Sequence, residues 1–86
     1  MPTISQFYGI KITIFYDDHN EPHFHAYYGE YAAEISIKTG KIHVGRLPSH
    51  AIKLVKEWRK LHTSELREDW ELARAHKLLK RIAPLE

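Results

Sequence analysis

The sequence predicts an α+β fold: a four-stranded antiparallel meander followed by two helices packed on one of its faces, in the order ββββαα. Two observations carry this prediction. Between residues 10 and 44 apolar side chains recur at every second position, in runs separated by very short turn segments. After Gly45 the apolar spacing changes to the 3.6-residue period of a helix with one buried stripe. The chain has 86 residues, 43% hydrophobic and 28% charged, which reads as one globular domain over residues 1–86.

The first strand runs from Ile10 to Tyr16. Ile10, Ile12, Ile14 and Tyr16 point one way, and Lys11, Thr13 and Phe15 the other. Pro22 has no N–H for a ladder and holds Glu21 extended, so residues 17–22 form a turn. His23 to Tyr28 is the second strand, and Gly29-Glu30 a tight reversal. Tyr31, Ala33, Ile35 and Ile37 share one side of the third strand. Lys38-Thr39-Gly40 turns the chain into a short fourth strand, Lys41 to Val44. Short connections throughout require antiparallel pairing. Pro48 suits a first helical turn, after which Ala51, Leu54, Val55, Trp58 and Leu61 make the buried stripe. His62-Thr63-Ser64 breaks and caps the chain, and a second helix carries Leu66, Trp70 and Ala73 before fading near His76. The remaining segment, residues 78–85, is too apolar to stay free and is expected to pack back in an extended form.

The absence of cysteine favours a reducing compartment. No apolar run approaches the roughly 20 residues of a membrane span, and the first residues lack the pattern of a signal peptide. A cytoplasmic protein is therefore expected. Charge is uneven. Residues 1–43 carry three lysines against five acids, a net −2, and residues 44–86 carry ten basic residues against six acids, a net +4.

The acidic half holds the tract Asp17-Asp18-His19-Asn20-Glu21-Pro22-His23-Phe24-His25. Imidazole changes charge near neutrality and ligates metals, so this density of histidine points to chemistry. On a strand His23, His25 and Tyr27 share one side and Phe24, Ala26 and Tyr28 the other. The second set is the more apolar and is expected to meet the helices, which leaves both histidines on the open face or its margin, near His19. Three readings stay open. The tract can be a solvated surface with Asp18 and Asn20 capping the turn. His19, His23 and His25 can transfer protons as catalytic acid and base, with Arg46, Lys53, Lys56, Arg59 or Lys60 stabilising phosphoryl charge. Or His23 and His25 can ligate zinc or another divalent metal, with His19 or Asp17 as a third ligand and a fourth position open. The first two readings need no cofactor.

Lys53, Lys56 and Lys60 form a second feature, a basic stripe with Arg59 at its border, opposite Leu54 and Leu61. It can bind nucleic acid or a protein partner, or be a solvated face in which Lys53 pairs with Glu57. Trp58 and Trp70 lie within apolar stripes and read as core. The five tyrosines concentrate around the sheet.

Several segments together resemble a family of small bacterial proteins known only as a domain of unknown function. They are Met1-Pro2-Thr3-Ile4, Phe7 to Ile10, His19, Pro22-His23-Phe24-His25-Ala26, Glu57-Trp58, Leu66, Trp70-Glu71-Leu72-Ala73 and Ile82 to Leu85. The resemblance spans essentially the whole chain. It implies no chemistry, but it does imply a neighbouring gene for a second small protein, an arrangement similar to toxin–antitoxin pairs. One departure is Asp69, where the family pattern is expected to carry Asn; an acceptor then replaces a donor. The expected function is a small interaction protein of such a module, binding a protein partner encoded nearby and, as a further candidate, RNA. A homo-oligomer is compatible with this, and no membrane is involved. The alternative is an enzyme, a histidine-dependent ribonuclease or metal-dependent hydrolase built on His19, His23 and His25.

Overall fold

Five strands, not four, precede the helices in a computed structural model that describes residues 3–16 and 21–86. The strands β1 (Thr3–Phe7), β2 (Ile10–Thr13), β3 (His23–Tyr28), β4 (Tyr31–Ser36) and β5 (Ile42–Arg46) form one sheet in sequence order, with antiparallel pairing throughout. The helices α1 (Ser49–Leu61) and α2 (Thr63–Arg74) follow. The additional strand is β1. Its register shifts between Thr3 and Ser5, so Ile4 and Ser5 are both buried and the period of two is lost. Tyr8 and Gly9 join it to β2 with φ of 47° and 78°, the conformation of a two-residue hairpin turn. At its other end β2 stops at Thr13, so Ile14 to Tyr16 continue outside the ladder.

Pairing of Ile12 with Ala26, Ala26 with Ala33 and Phe24 with Ile35 aligns these side chains on one face of the sheet. All are buried. The helices add Ala51, Val55, Trp58, Leu66, Trp70 and Ala73 to the same core. The Trp58 ring lies 5.4 Å from Phe7 and 5.8 Å from Phe24. Leu61, expected in the stripe, is 67% exposed. The stripe continues instead through His62, whose ring lies 5.6 Å from Trp58, because Trp58 to His62 is the i, i+4 step. His62 also separates the two helices; its Nδ1 lies 2.6 Å from Glu65 Oε1, and the Thr63 hydroxyl donates to the Arg59 carbonyl.

The last residues do pack back. The Ile82 amide donates to the Ile4 carbonyl at 2.7 Å, which covers the outer side of β1. Trp58 Nε1 donates to the Ala83 carbonyl at 2.9 Å, and Ile82 is buried. Among the described residues no helix is long and apolar enough to cross a membrane.

Asp69 is part of this closure. It is buried, and its Oδ1 accepts the Lys80 amide at 2.9 Å. Burial raises its pKa above the ordinary carboxylate range, the Lys80 hydrogen bond opposes the rise, and Glu68 adds to it. A carboxyl whose pKa is raised by folding favours the folded state at low pH and loses that contribution as pH climbs through the folded value. Asp69→Asn keeps the acceptor and removes the charge. It is expected to stabilise the protein by about 1 kcal/mol at pH 7. That gain should vanish below pH 3.8, the ordinary value, where both forms are neutral. Urea denaturation at the two pH values checks this.

The β4–β5 pairing contains a bulge. Glu34 faces Val44 and Ile35 faces Ile42, so His43 is an extra residue on the edge strand. Gly45, two residues on, has φ +80°, and a Cβ there would lie 2.1 Å from the Ala32 carbonyl oxygen. Gly45→Ala is expected to cost about 1–3 kcal/mol through backbone conformation alone, with the clash adding to it. Amide hydrogen exchange should quicken first in β4 and β5, and an unchanged exchange pattern would contradict this account.

Candidate metal centre

Three neighbouring strands supply the site. His23 and His25 are two residues apart in β3 and leave the same side of the pleat. Pairing sets His25 opposite Glu34 of β4, and directly opposed residues hold their Cβ atoms ~4.5–5.5 Å apart. Register alone therefore brings a carboxylate to an imidazole. Glu34 Oε1 lies 3.4 Å from His23 Nε2 and 3.6 Å from His25 Nε2. One ligand atom from each of the three residues lies within 4.8 Å of the other two.

His23 is not on an open face. Its side chain is 1% exposed, whereas His25 and Glu34 are 22% and 21% exposed. The cover is Trp70 of α2, whose ring centroid stands 5.1 Å from that of His23. The site thus has a dry side and a wet side. His23 Nδ1 lies 2.7 Å from the Glu21 carbonyl oxygen. A carbonyl only accepts, so Nδ1 carries a proton, and Nε2 is the ring nitrogen that faces Glu34. This is the tautomer of a metal-ligating histidine, which commonly gives its other N–H to a carbonyl or carboxylate. His25 is oriented by Phe15, edge-on at 4.5 Å, and by Tyr27 at 6.4 Å.

Two further groups border the cluster. The Ser36 hydroxyl donates to Glu21 Oε1 at 2.9 Å. His43, displaced by the bulge, stands between the two carboxylates: its Nδ1 is 3.8 Å from Glu34 Oε2 and its Nε2 is 3.9 Å from Glu21 Oε1.

His23 and His25 of the sequence-derived set therefore converge, while His19 and Asp17 lie outside the described residues. Glu34, Glu21 and His43 were not read from the sequence. Glu34 was within reach of it: a two-residue turn at Gly29-Glu30 sets Tyr28 opposite Tyr31, and counting back along both strands sets His25 opposite Glu34. The basic stripe does not join the cluster. Lys53, Lys56 and Lys60 are exposed on α1. That helix packs through Trp58 against Phe24, on the opposite side of the sheet from His25 and Glu34. Arg59 turns inward and donates from Nη1 to the Ile37 carbonyl at 2.9 Å, which ties α1 to the β4–β5 turn. Arg46 lies over the Tyr31 ring, 5.5 Å from its centroid.

A family model matches residues 9–71, most of the chain. The protein belongs to the DUF4160 family, a domain of unknown function. No curated protein and no solved structure matches the chain. The DUF4160 match includes all of β2 to β5 and α1, so it contains His23, His25, Glu34, His43 and the covering Trp70. It leaves out β1 and the final segment, the two pieces that meet through Ile4 and Ile82.

Proposed function

We propose that this DUF4160 protein is a metal-dependent hydrolase whose divalent ion is held by His23, His25 and Glu34. The spacing of the ligand atoms carries the reading. Zinc binds nitrogen and oxygen ligands at ~2.0–2.1 Å, which in a tetrahedron sets ligand atoms about 3.3–3.4 Å apart. The two contacts of Glu34 Oε1, 3.4 and 3.6 Å, are close to that edge length. Two imidazoles and one carboxylate form a donor set that catalytic zinc uses; iron(II) also accepts it. Such an ion polarises an ester or phosphoryl oxygen and activates water. The chain's part is to orient the ligands: Trp70 keeps water from His23, the Glu21 carbonyl sets its tautomer, and the exposed side of His25 and Glu34 gives access. A metal-free ribonuclease is less favoured, because Arg59 and Arg46 are engaged elsewhere and the lysines lie across the sheet.

The test begins with elemental analysis of tag-free protein, which is expected to return one divalent ion per chain. His25→Ala and Glu34→Gln should lose the ion and any phosphodiester cleavage, with circular dichroism unchanged. Protein that stays metal-free after equilibration with zinc, iron(II) and manganese would refute the reading.

A second reading is an interaction protein of a toxin–antitoxin-like module in the cytoplasm, binding a small protein encoded nearby and also RNA. It is supported by β5, an edge strand with Val44 63% exposed, and by the solvent-facing lysine stripe. Co-purification from the native gene neighbourhood tests it; a monomer with no bound neighbour argues against it. Binding to RNA should fall steeply with salt and weaken in Lys53→Glu/Lys56→Glu.

A further inference from the structure

We infer that His43 is a fourth, displaceable ligand of the ion, supplied by the edge strand β5. The inference rests on the metal centre proposed above and adds to it a residue and a means of regulation.

Four observations converge on His43. First, it is the extra residue of the bulge, left without a cross-strand partner between Val44 and Ile42, and bulges re-aim side chains in this way. Second, its Nδ1 is 3.8 Å from Glu34 Oε2. Glu34 thus presents one oxygen to the β3 histidines and the other to His43, so the carboxylate is shared by three imidazoles. Third, its other ring nitrogen, Nε2, is 3.9 Å from Glu21 Oε1. Ser36 holds that carboxylate through a 2.9 Å hydrogen bond. A carboxylate at the remote nitrogen is the usual support for a metal-bound imidazole. Glu21 therefore approaches two rings: its carbonyl accepts from His23 at 2.7 Å, and its carboxylate stands 3.9 Å from His43 Nε2, beyond hydrogen-bond length but in position to take that proton as the ring swings inward. Fourth, the His43 side chain is 33% exposed, against 1% for His23 and 22% for His25. It is the most exposed of the three rings.

In this structure His43 stands outside the His23, His25 and Glu34 ligand atoms that lie within 4.8 Å of one another; swung onto the ion, it would complete four protein ligands and clip β3, β4 and β5 together, the closed arrangement of structural zinc. With His43 rotated away, the fourth position opens to water or substrate. His23, His25 and Glu34 hold the ion in both states, and the edge-strand ligand sets its availability.

The experiment titrates untagged wild-type protein and His43→Ala with zinc in competition with a chromophoric chelator, and records the visible spectrum of each with cobalt(II). Circular dichroism checks that the variant is folded. Wild type is expected to bind one zinc and to give the intense spectrum of tetrahedral cobalt. His43→Ala should still bind one zinc, about 10–100-fold more weakly, with a weaker spectrum typical of water-filled coordination. Equal affinity and identical spectra would overturn the role of His43 and leave the three-ligand centre standing. Absence of binding by wild type would overturn both.

Discussion

Trp58→Ala is expected to leave much of the protein unfolded at 25 °C. Trp58 is fully buried, with ring contacts to Phe7 of β1 and Phe24 of β3, and its Nε1 holds the Ala83 carbonyl of the last segment. One side chain thereby joins a helix, two strands and the C-terminal segment. Truncating a buried aromatic to alanine costs about 3–5 kcal/mol, and the lost hydrogen bond adds about 1 kcal/mol. A domain of this size sits near the low end of the usual ~5–15 kcal/mol. The two magnitudes are comparable, so the folded population collapses. Trp58→Phe keeps a ring in the gap and gives up the hydrogen bond, and it should lose distinctly less. Urea unfolding followed by far-ultraviolet circular dichroism measures both; a midpoint for Trp58→Ala within error of wild type would refute this account of the core.

Saturating zinc is expected to raise the melting temperature steeply, and Glu34→Gln to remove most of the rise. A ligand that binds only the folded state at about 1,000 times its Kd adds about 4 kcal/mol. For a domain under 100 residues each kcal/mol moves Tm by roughly 4–8 °C. The rise is therefore on the order of 15–30 °C. Glu34 is the hub of the site, since His23, His25 and His43 all approach its two oxygens. Glutamine preserves the size of the side chain but not the anionic donor. Calorimetry with zinc and again after chelation reads the effect. A zinc-dependent rise in Glu34→Gln equal to that of wild type would mean that the ion sits elsewhere.

Much of the fold was legible in the sequence. The alternation along Ile10 and Ile12, the turn at Gly29-Glu30 and the helical stripe of Ala51, Val55 and Trp58 gave both periods, while the strand ends differ: β2 stops at Thr13 and the last strand runs to Arg46. The strand Thr3–Phe7 was not legible, because its bulge puts Ile4 and Ser5 on the buried side together and erases alternation. Leu61 was misplaced because residues three and four positions beyond Trp58 both fit a helical stripe, and only contact with the core selects His62. The site was half legible. His-Phe-His put two imidazoles on one side of a strand; Glu34 was not read, although register counted across the two-residue turn sets it opposite His25. His43 did not follow, since a bulge in β5 breaks that count.

The sequence by itself determined an antiparallel meander followed by two helices and marked His23 and His25 as a pair, because alternation, turn residues and helical spacing are local properties of the chain. Tertiary structure decided which carboxylate they meet and which further histidine stands beside that carboxylate. It also decided that His23 is dry while His25 is wet. Those outcomes depend on the register of β4, on a bulge in β5, and on Trp70 arriving from α2. Each of these is a contact between residues distant along the chain, and none leaves a periodic trace in it.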